Sequence, residues 1–289
     1  MASVLHLSTR VELRPFGKTG RDVPAIGQGT WQIDLSDKAA AIATLRRGLD
    51  LGLTHIDTAE MYGGAESILG EAIAGRRDEV FLVSKVLPEN ATRKGTRAAC
   101  ERSLRALRTD HLDVYLLHWR GSVPLNDTLE AFAELAREGK IRAWGVSNFD
   151  VPDLEEVERL VGTESLACNQ VLYHLAERTI EHAVLPWCRS RGIAVVGYSP
   201  FGHGDFPKPN TARGKLLARI AAAHGATPRQ VALRFLVRAA PLFTIPKASA
   251  AAHAEENARA RDLALNETEI GEIDRAFAIG PRPRELPML

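Results

Sequence analysis

The stretch LTHIDTAEMYGGAESILGEAIAGRRDEVFLVSK, residues 53–85, holds one full repeat of the pattern that decides the fold. Short apolar runs at 53–57 and 80–84 have the length and composition of buried strands. Between them, residues 65–74 space Ala, Ile and Leu against Glu as an amphipathic helix does. A strand, a helix and a second strand within about thirty residues predict a βαβ unit with parallel strands.

The same alternation of short apolar runs and amphipathic stretches continues along the whole chain. The sequence predicts eight strands, at residues 24–28, 53–57, 80–84, 113–117, 142–147, 166–169, 194–198 and 242–245. The predicted helices span residues 38–51, 65–74, 92–107, 128–138, 152–160, 181–191, 214–224 and 228–237. Strands that alternate with helices in this way form a parallel sheet covered by the helices.

No composition shift or Pro- and Ser-rich linker divides the chain, so we expect a single domain over residues 1–289, folded as a closed (β/α)8 TIM barrel. Residues 14–23, with a Gly-Lys-Thr-Gly turn, predict an N-terminal β-hairpin that caps the barrel bottom. Asp127 and Thr227 offer helix-start chemistry. A doubly wound nucleotide-binding fold is the alternative, but GQGTW at 27–31 lacks the third glycine and the immediate helix of its phosphate loop.

The composition argues against several classes of protein. Hydrophobic residues at 45% and charged residues at 25% are typical of a globular domain, and a net charge of +1 gives no electrostatic footprint for nucleic acid or an anionic membrane. The cysteines, Cys100, Cys168 and Cys188, lack the spacing of a disulfide framework or a structural zinc site. Since there is neither a signal-peptide pattern nor an apolar window of about 18 residues, we expect a cytoplasmic protein without metal, membrane or nucleic-acid partners.

The residues that end the predicted strands carry the chemistry, because active sites of such barrels form at the carboxyl ends of the strands. Asp57 ends the second strand, and Tyr62 lies in the loop that follows it. Lys85 ends the third strand and His118 the fourth. Each alone has a structural explanation, such as a helix-capping Asp, a packed Tyr or a solvated Lys. Their placement at one mouth by three consecutive βα units instead predicts a catalytic site.

This set of side chains suits the delivery of a proton to a carbonyl oxygen. The ordinary pKa of a tyrosine, about 10, is too high for easy acid–base work near neutral pH. We therefore expect Lys85 to lower the pKa of Tyr62, with Asp57 keeping Lys85 charged. His118 then donates a hydrogen bond to the substrate oxygen. No residue of the set carries electrons, so a cofactor must donate the hydride.

Motifs in a fixed order carry a resemblance to a known family. They are GQGTW at 27–31, HIDTAEMY at 55–62, VSK at 83–85, LLHW at 116–119, GKIRAWGVSNF at 139–149, NQ at 169–170, YSP at 198–200 and IPKAS at 245–249. In this series the chain resembles the aldo-keto reductase superfamily over nearly its whole length, and most of all its bacterial methylglyoxal-reductase-like members. The resemblance implies an NADP-dependent oxidoreductase that reduces small aldehydes and ketones, or oxidises alcohols in reverse. It also makes Tyr62 the general acid and base, assisted by the other three residues.

The resemblance further implies which residues bind the cofactor. By their positions in the matching motifs these are Gly29, Thr30, Trp31, Asp57, Ser147, Asn148, Gln170, Tyr198, Ser199, Pro200, Lys247, Ala248, Ser249, His253, Glu256 and Asn257. Ser147, Asn148 and Gln170 would hydrogen-bond the nicotinamide carboxamide. Tyr198 would stack under the nicotinamide ring, and the two residues after it would line the pyrophosphate path.

The resemblance also implies which residues form the substrate pocket and which reach the adenine. Trp31, Met61 and Trp119 would form apolar walls of the substrate pocket, and at the far end Glu256 and Asn257 would reach the adenine.

One departure from the family pattern concerns the adenosine 2′-phosphate. Many members carry a serine and an arginine where this chain has Ala248 and His253. Lys247 still offers a point charge and Ser249 a hydroxyl, but a lysine does not replace a bidentate, permanently charged arginine. We expect NADPH as the cofactor, with NADH or dual use left open.

Two other functions compete with a carbonyl reductase. A regulatory binding module would keep the fold and the cofactor and serve a protein partner. A barrel lyase would use Lys85 to form a Schiff base with its substrate. For the reductase we expect a small carbonyl substrate and a monomer, the state in which aldo-keto reductases often occur.

Substrate choice is expected to depend on loops. Residues 202–211 are the main candidate for a variable lid, with His203 and Asp205 as surface residues of it. The segments 120–126 and 281–289 are short, which predicts an open mouth and broad substrates.

Overall fold

The structure is a computed structural model that describes residues 13–289. The described part begins with an antiparallel hairpin, in which β1 (Leu13–Pro15) pairs with β2 (Asp22–Pro24). The turn between them carries Phe16, which is fully buried, with its ring centroid 4.7 Å from that of Phe81 and 4.9 Å from that of Phe243. The hairpin therefore closes the bottom of the barrel, as predicted, with the Phe16 ring packed against those of Phe81 and Phe243.

Eight parallel strands follow, each hydrogen-bonded to its neighbours in chain order. They are β3 (Gln28–Gly29), β4 (His55–Asp57), β5 (Phe81–Val86), β6 (Leu112–Leu117), β7 (Ile141–Ser147), β8 (Leu166–Leu172), β9 (Ala194–Tyr198) and β10 (Leu242–Thr244). The first and last strands also meet, because the Gly27 N–H donates to the Thr244 carbonyl over 2.8 Å. A β-bridge joins Gly29 to Lys247, and a Cβ on Gly29 would lie only 2.6 Å from the Ile245 carbonyl oxygen. The predicted closed (β/α)8 barrel is confirmed.

The helices cover the outside of the barrel. They are α1 (Lys38–Asp50), α2 (Ala65–Ala72), α3 (Arg93–Leu107), α4 (Leu125–Arg137), α5 (Val151–Val161), α6 (Val184–Ser190), α7 (Ala212–Ala223), α8 (Pro228–Leu236), α9 (Ala251–Arg259) and α10 (Glu267–Ala276). The sequence predicted the first eight of these but neither α9 nor α10. Thr227 caps α8 as expected, in a capping box with Gln230. The expected start of α4 at Asp127 is wrong: the helix begins at Leu125, directly after Pro124. Asp127 lies in its first turn, where the helix dipole also favours a carboxylate.

The apolar core lies mainly between the strands and the surrounding helices, where side chains such as Leu82, Phe132 and Leu135 are fully buried. All three cysteines are buried and free. Over residues 13–289, no helix is both long and apolar enough to cross a membrane. In the same residues, no group of three or more His, Cys, Asp or Glu side chains is arranged to hold a metal ion.

Candidate active site

The structure brings the four residues predicted to be catalytic to one end of the barrel. Asp57 is the last residue of β4, Lys85 lies near the end of β5, and His118 directly follows β6. The Lys85 Nζ donates to the Asp57 Oδ1 over 2.5 Å and to the Thr58 carbonyl over 2.8 Å. It also donates to the Tyr62 Oη over 3.3 Å. A continuous chain of polar atoms thus runs from a buried carboxylate to a phenol at the barrel mouth.

The buried ion pair fixes the charge at the centre of this chain. Lys85 is completely buried, and Asp57 is 1% exposed. Burial lowers the pKa of Lys85, but the Asp57 carboxylate and the Tyr62 hydroxyl outweigh it, so the pKa of Lys85 is raised overall. Gln170 donates from its Nε2 to the second carboxylate oxygen of Asp57 over 2.7 Å. Lys85 is therefore held as an ammonium, which is not a nucleophile, and this disfavours the Schiff-base alternative.

Two opposing effects act on the pKa of Tyr62. Burial raises the pKa of Tyr62, and the Lys85 ammonium acts in the opposite direction. The expectation that Lys85 lowers this pKa is right for the lysine's own effect, but burial outweighs it and the pKa is raised overall. The ring meets that of His118 edge-on, with centroids 5.7 Å apart.

His118 is held as a neutral imidazole. Burial, together with the Lys85 ammonium, lowers the pKa of His118 to about 2. Its Nδ1 is buried without a hydrogen-bond partner among residues 13–289. A neutral imidazole has one N–H to donate. His118 can therefore donate a hydrogen bond to a substrate oxygen but does not supply a full positive charge.

Two adjoining cavities open at this end of the barrel. The first has a volume of about 210 Å³, and of the residues predicted to bind the cofactor it is lined by Gly29, Thr30, Trp31, Asp57, Tyr198, Ser199, Pro200 and Lys247. The second has a volume of about 160 Å³, and of all the predicted site residues it is lined by Trp31, Met61, Tyr62, His118, Trp119, Ser147, Asn148, Gln170, Tyr198 and Ser199. Tyr62 lines both cavities. The phenol that Lys85 holds therefore stands where the two cavities join.

The backbone at the mouth has conformations that non-glycine residues seldom adopt. Asn148 has φ 60° and Ser199 has φ 51°, each directly after the last residue of a strand. Such positive φ values are uncommon outside glycine and cluster at functional sites. The Tyr198 hydroxyl donates to the Asn148 Oδ1 over 2.9 Å, and the Asn148 Nδ2 donates to the His118 carbonyl over 3.2 Å. These bonds connect the predicted nicotinamide-binding residues with His118.

Of the residues predicted to bind the adenosine end, Lys247 lines the first cavity and the others line neither cavity. Lys247 reaches Ser249, with 3.1 Å between the Nζ and the Oγ, while His253 lies exposed on the first turn of α9. Glu256 accepts a hydrogen bond from the Thr227 hydroxyl over 2.6 Å. The Glu256 carboxylate therefore faces the start of α8 and stabilises its capping box. Ala248 and Asn257 likewise line neither of the two cavities.

Comparison with known proteins identifies the family. A model of the aldo/keto reductase family matches residues 25–278.

The chain belongs to the aldo/keto reductase family.

Relatives and solved structures agree with this assignment. The chain is 44% identical to methylglyoxal reductase YeaE of Escherichia coli over 266 residues, which cover 91% of this chain and 93% of the relative. It is 33% identical to glyoxal reductase of Bacillus subtilis, over 92% of this chain and 95% of that protein. An aldo-keto reductase from Klebsiella pneumoniae, solved in complex with NADPH, superposes with a TM-score of 0.90 at 44% identity, covering 96% of this chain and 99% of that one.

Sequence reasoning missed some residues that this aldo-keto reductase places at its mouth. Met288 and Leu289 line the second cavity, and the Leu289 N–H donates to the Tyr198 Oη over 3.3 Å. His203 is exposed, as expected of a surface residue, but it also lines the first cavity, with its ring centroid 5.7 Å from that of Trp31. The tail residues Met288 and Leu289 therefore form part of the mouth, although the short tail was expected to leave it open. The pair of large apolar residues at 288–289 was the available signal.

Proposed function

We propose that this aldo-keto reductase transfers a hydride from NADPH to a small aldehyde or ketone, in particular a 2-oxoaldehyde such as methylglyoxal, with Tyr62 as the general acid. The observation that carries the proposal is the buried chain from Asp57 through Lys85 to Tyr62, which ends where two cavities join. The first cavity suits the cofactor, and the second, which the predicted nicotinamide-binding residues Ser147, Asn148 and Gln170 also line, suits the substrate beside the nicotinamide ring.

The residues of the first cavity fit a dinucleotide. Tyr198 offers a flat ring, and the αL conformation of Ser199 turns the chain sharply away behind it. Farther out, Lys247 and the Ser249 hydroxyl stand next to the start of α9, whose N-cap residue Ala250 provides no side-chain acceptor. A helix start with free N–H groups and a nearby ammonium suits a phosphate. This arrangement supports NADPH despite Ala248 and His253, and a relative with similar structure binds NADPH.

NADPH supplies the hydride; the side chains of the chain supply the proton and the electrostatics. Tyr62 donates its proton to the carbonyl oxygen as the carbonyl carbon is reduced, which completes the alcohol. The Lys85 ammonium stabilises the phenolate that Tyr62 becomes, because an adjacent positive charge favours the ionised form. The neutral His118 donates a hydrogen bond to the same oxygen and fixes its direction. Solvent then returns a proton to Tyr62.

The second cavity supports a small substrate. Its apolar surface comes from Trp31, Met61 and Trp119, with the tail residues Met288 and Leu289 on its edge. A volume of about 160 Å³ suits a molecule of few heavy atoms. The relatives that act on methylglyoxal and glyoxal have substrates of this size.

The test is a steady-state assay of NADPH consumption with methylglyoxal, run beside a fluorescence titration of cofactor binding. We expect turnover with NADPH and tighter binding of NADPH than of NADH. General acid catalysis contributes about 10²- to 10⁴-fold, so Tyr62→Phe should lose turnover on that scale while its affinity for NADPH stays that of the wild type. Undiminished turnover in Tyr62→Phe would remove Tyr62 from the acid role. Failure to bind either cofactor would overturn the proposal as a whole.

A further inference from the structure

The loop that carries Tyr62 joins β4 to α2 and contains two consecutive glycines. Tyr62 is followed by Gly63 and Gly64, and Gly63 has φ 55°. Glycine adopts many backbone conformations at little cost, so the chain after Tyr62 is easily moved. The Tyr62 N–H donates to the Ala59 carbonyl over 3.0 Å, but this bond lies within the loop itself. Tyr62 is held directly by the Lys85 Nζ, 3.3 Å from its Oη, and by the edge-on His118 ring, so its place relative to Lys85 further depends on a contact that joins the loop to β5.

Glu60 provides that contact, two residues before Tyr62. Its Oε1 accepts hydrogen bonds from the Leu87 N–H over 2.7 Å and from the Asn90 Nδ2 over 3.0 Å. Its Oε2 pairs with the Arg102 guanidinium over 3.0 Å. The side chain of Glu60 is only 10% exposed, whereas that of Arg102 is 49% exposed. The Leu87 N–H and the Asn90 Nδ2, which lie just after β5, are therefore better shielded from solvent than the Arg102 guanidinium.

The backbone of Glu60 is bonded to the same strand. The Glu60 N–H donates to the Lys85 carbonyl over 3.3 Å, and the Thr58 N–H donates to the Val83 carbonyl over 2.9 Å. Glu60 is thus attached by its main chain to Lys85 and by its side chain to Leu87. Both attachments join the loop of the phenol to the strand of the ammonium.

We propose that Glu60 is a positioning residue, which sets the distance between Tyr62 and Lys85 by attaching the Tyr62 loop to the end of β5. The inference rests on the proposed role of Tyr62 and extends it to a carboxylate that touches neither cavity. Hydrogen bonds to a carboxylate are about twice as strong as those between neutral groups, which suits an acceptor that must fix a loop. Loss of the carboxylate charge weakens these hydrogen bonds and lets Tyr62 move away from Lys85. The ammonium then stabilises the phenolate less.

The experiment compares Glu60→Gln with Glu71→Gln. Glu71 on α2 pairs with Lys38 and Arg108 at the surface, so its substitution removes the same charge from outside the Tyr62 loop. We expect Glu60→Gln to lower kcat roughly tenfold, since small displacements of a reacting group cost up to about 10²-fold. Its affinity for NADPH should stay unchanged. The pH at which kcat falls on the alkaline side should rise, because Tyr62 ionises less readily when Lys85 is farther away. Glu71→Gln should show neither change.

A direct titration of Tyr62 makes the test independent of catalysis. The chain contains four tyrosines, so the phenolate absorbance of the protein minus that of its Tyr62→Phe variant reports Tyr62 alone. This titration should move to higher pH in Glu60→Gln and in the milder variant Asn90→Ala, which loses one donor. An unmoved titration in a folded Glu60→Gln overturns the inference, even when its melting temperature falls.

A double-mutant cycle separates this inference from the proposed function. If Glu60 acts through Tyr62, Glu60→Gln should lower kcat in the wild type but not lower the residual rate of Tyr62→Phe further. Equal losses in both backgrounds would show that Glu60 acts elsewhere. Full activity of Tyr62→Phe would instead contradict the proposed acid itself.

Discussion

His55 and Asp57 occupy the two ends of β4, two residues apart, and both side chains are fully or almost fully buried. The His55 ring at the lower end is surrounded by the rings of Phe16, Phe81 and Phe243. Neither of its nitrogens has a hydrogen-bond partner within residues 13–289, and burial lowers the pKa of His55 to about 3.

Asp57 at the upper end is buried as deeply but has partners. Lys85 and Gln170 each bind one of its carboxylate oxygens. Residues two apart on a strand point to the same side, so strand geometry alone does not distinguish the two ends. The difference is that β5 and β8 provide Asp57 with a charge and an amide, whereas the hairpin provides His55 only with apolar rings. Burial keeps His55 neutral and inert, and the same burial strengthens the electrostatics around Asp57.

The largest expected effect comes from removing the charge at the upper end. Lys85→Met should lower kcat by on the order of 10³-fold, because Tyr62 loses the ammonium that stabilises its phenolate. It should also lower the free energy of unfolding by about 3–5 kcal/mol, since Asp57 is left as a buried, unpaired carboxyl group. Steady-state kinetics and urea denaturation measure the two effects. Lys38→Met, at an exposed ion pair with Glu71, is the control and should change neither by much.

At the lower end of the barrel, a substitution should reduce stability but leave kcat nearly unchanged. Phe16→Ala removes a fully buried ring and should lower the free energy of unfolding by about 3–5 kcal/mol. The kcat per folded molecule should stay within about twofold of the wild type, because the rings that Phe16 meets, those of His55, Phe81 and Phe243, line neither cavity. Denaturation and activity at a low urea concentration test this. A kcat that falls together with stability would mean that the two ends are coupled.

Acidification should destabilise the folded protein partly through His55. Its pKa in the folded state is lowered to about 3, below the ordinary 6.5 of the unfolded chain, so the unfolded state binds the proton more readily. The stability that neutral His55 contributes is present above about pH 6.5 and is lost as the pH falls toward 3. One pKa unit corresponds to about 1.4 kcal/mol, so the loss amounts to several kcal/mol. His55→Leu should flatten the decline of melting temperature between pH 6.5 and 4. An equally steep decline would assign acid sensitivity to other groups.

The smallest effect should come from the tail. Met288→Ala combined with Leu289→Ala widens the second cavity, whose edge both residues form. The KM for a bulky aromatic aldehyde should fall a few-fold, whereas that for methylglyoxal should change little. Ile279→Ala is the matched control, because Ile279 is another exposed apolar residue near the chain end but lines neither cavity. Equal effects of the two variants would argue against a role of the tail in substrate choice.

The sequence predicted the barrel, and that Asp57, Tyr62, Lys85 and His118 meet at its mouth, because both depend on local pattern. Strand-ending residues such as Asp57, Lys85 and His118 must meet at one mouth once the strands are parallel. Contacts between distant segments carry no such pattern. Two such contacts are that of Leu289 with Tyr198 and that of Glu256 with Thr227. Both depend on the path of the chain through α9 and α10, two helices that the sequence did not predict.

The net shift in the pKa of Tyr62 could not be predicted from the sequence either. The residue types predicted that Lys85 lowers the pKa of Tyr62, but the burial that raises it follows from the packing around the mouth. The left-handed backbone at Asn148 was equally hidden, since asparagine is common in many other conformations.

The proposed role of Tyr62, held by Lys85 and Asp57, is to protonate the substrate as hydride is transferred. A single-turnover experiment tests it most directly: enzyme saturated with NADPH is mixed rapidly with methylglyoxal, and the loss of NADPH absorbance is followed in the wild type and in Tyr62→Phe. This isolates the chemical step from product release. We expect a first-order rate at least about 10²-fold lower in Tyr62→Phe, with unchanged NADPH affinity. Equal rates in the two proteins would contradict it.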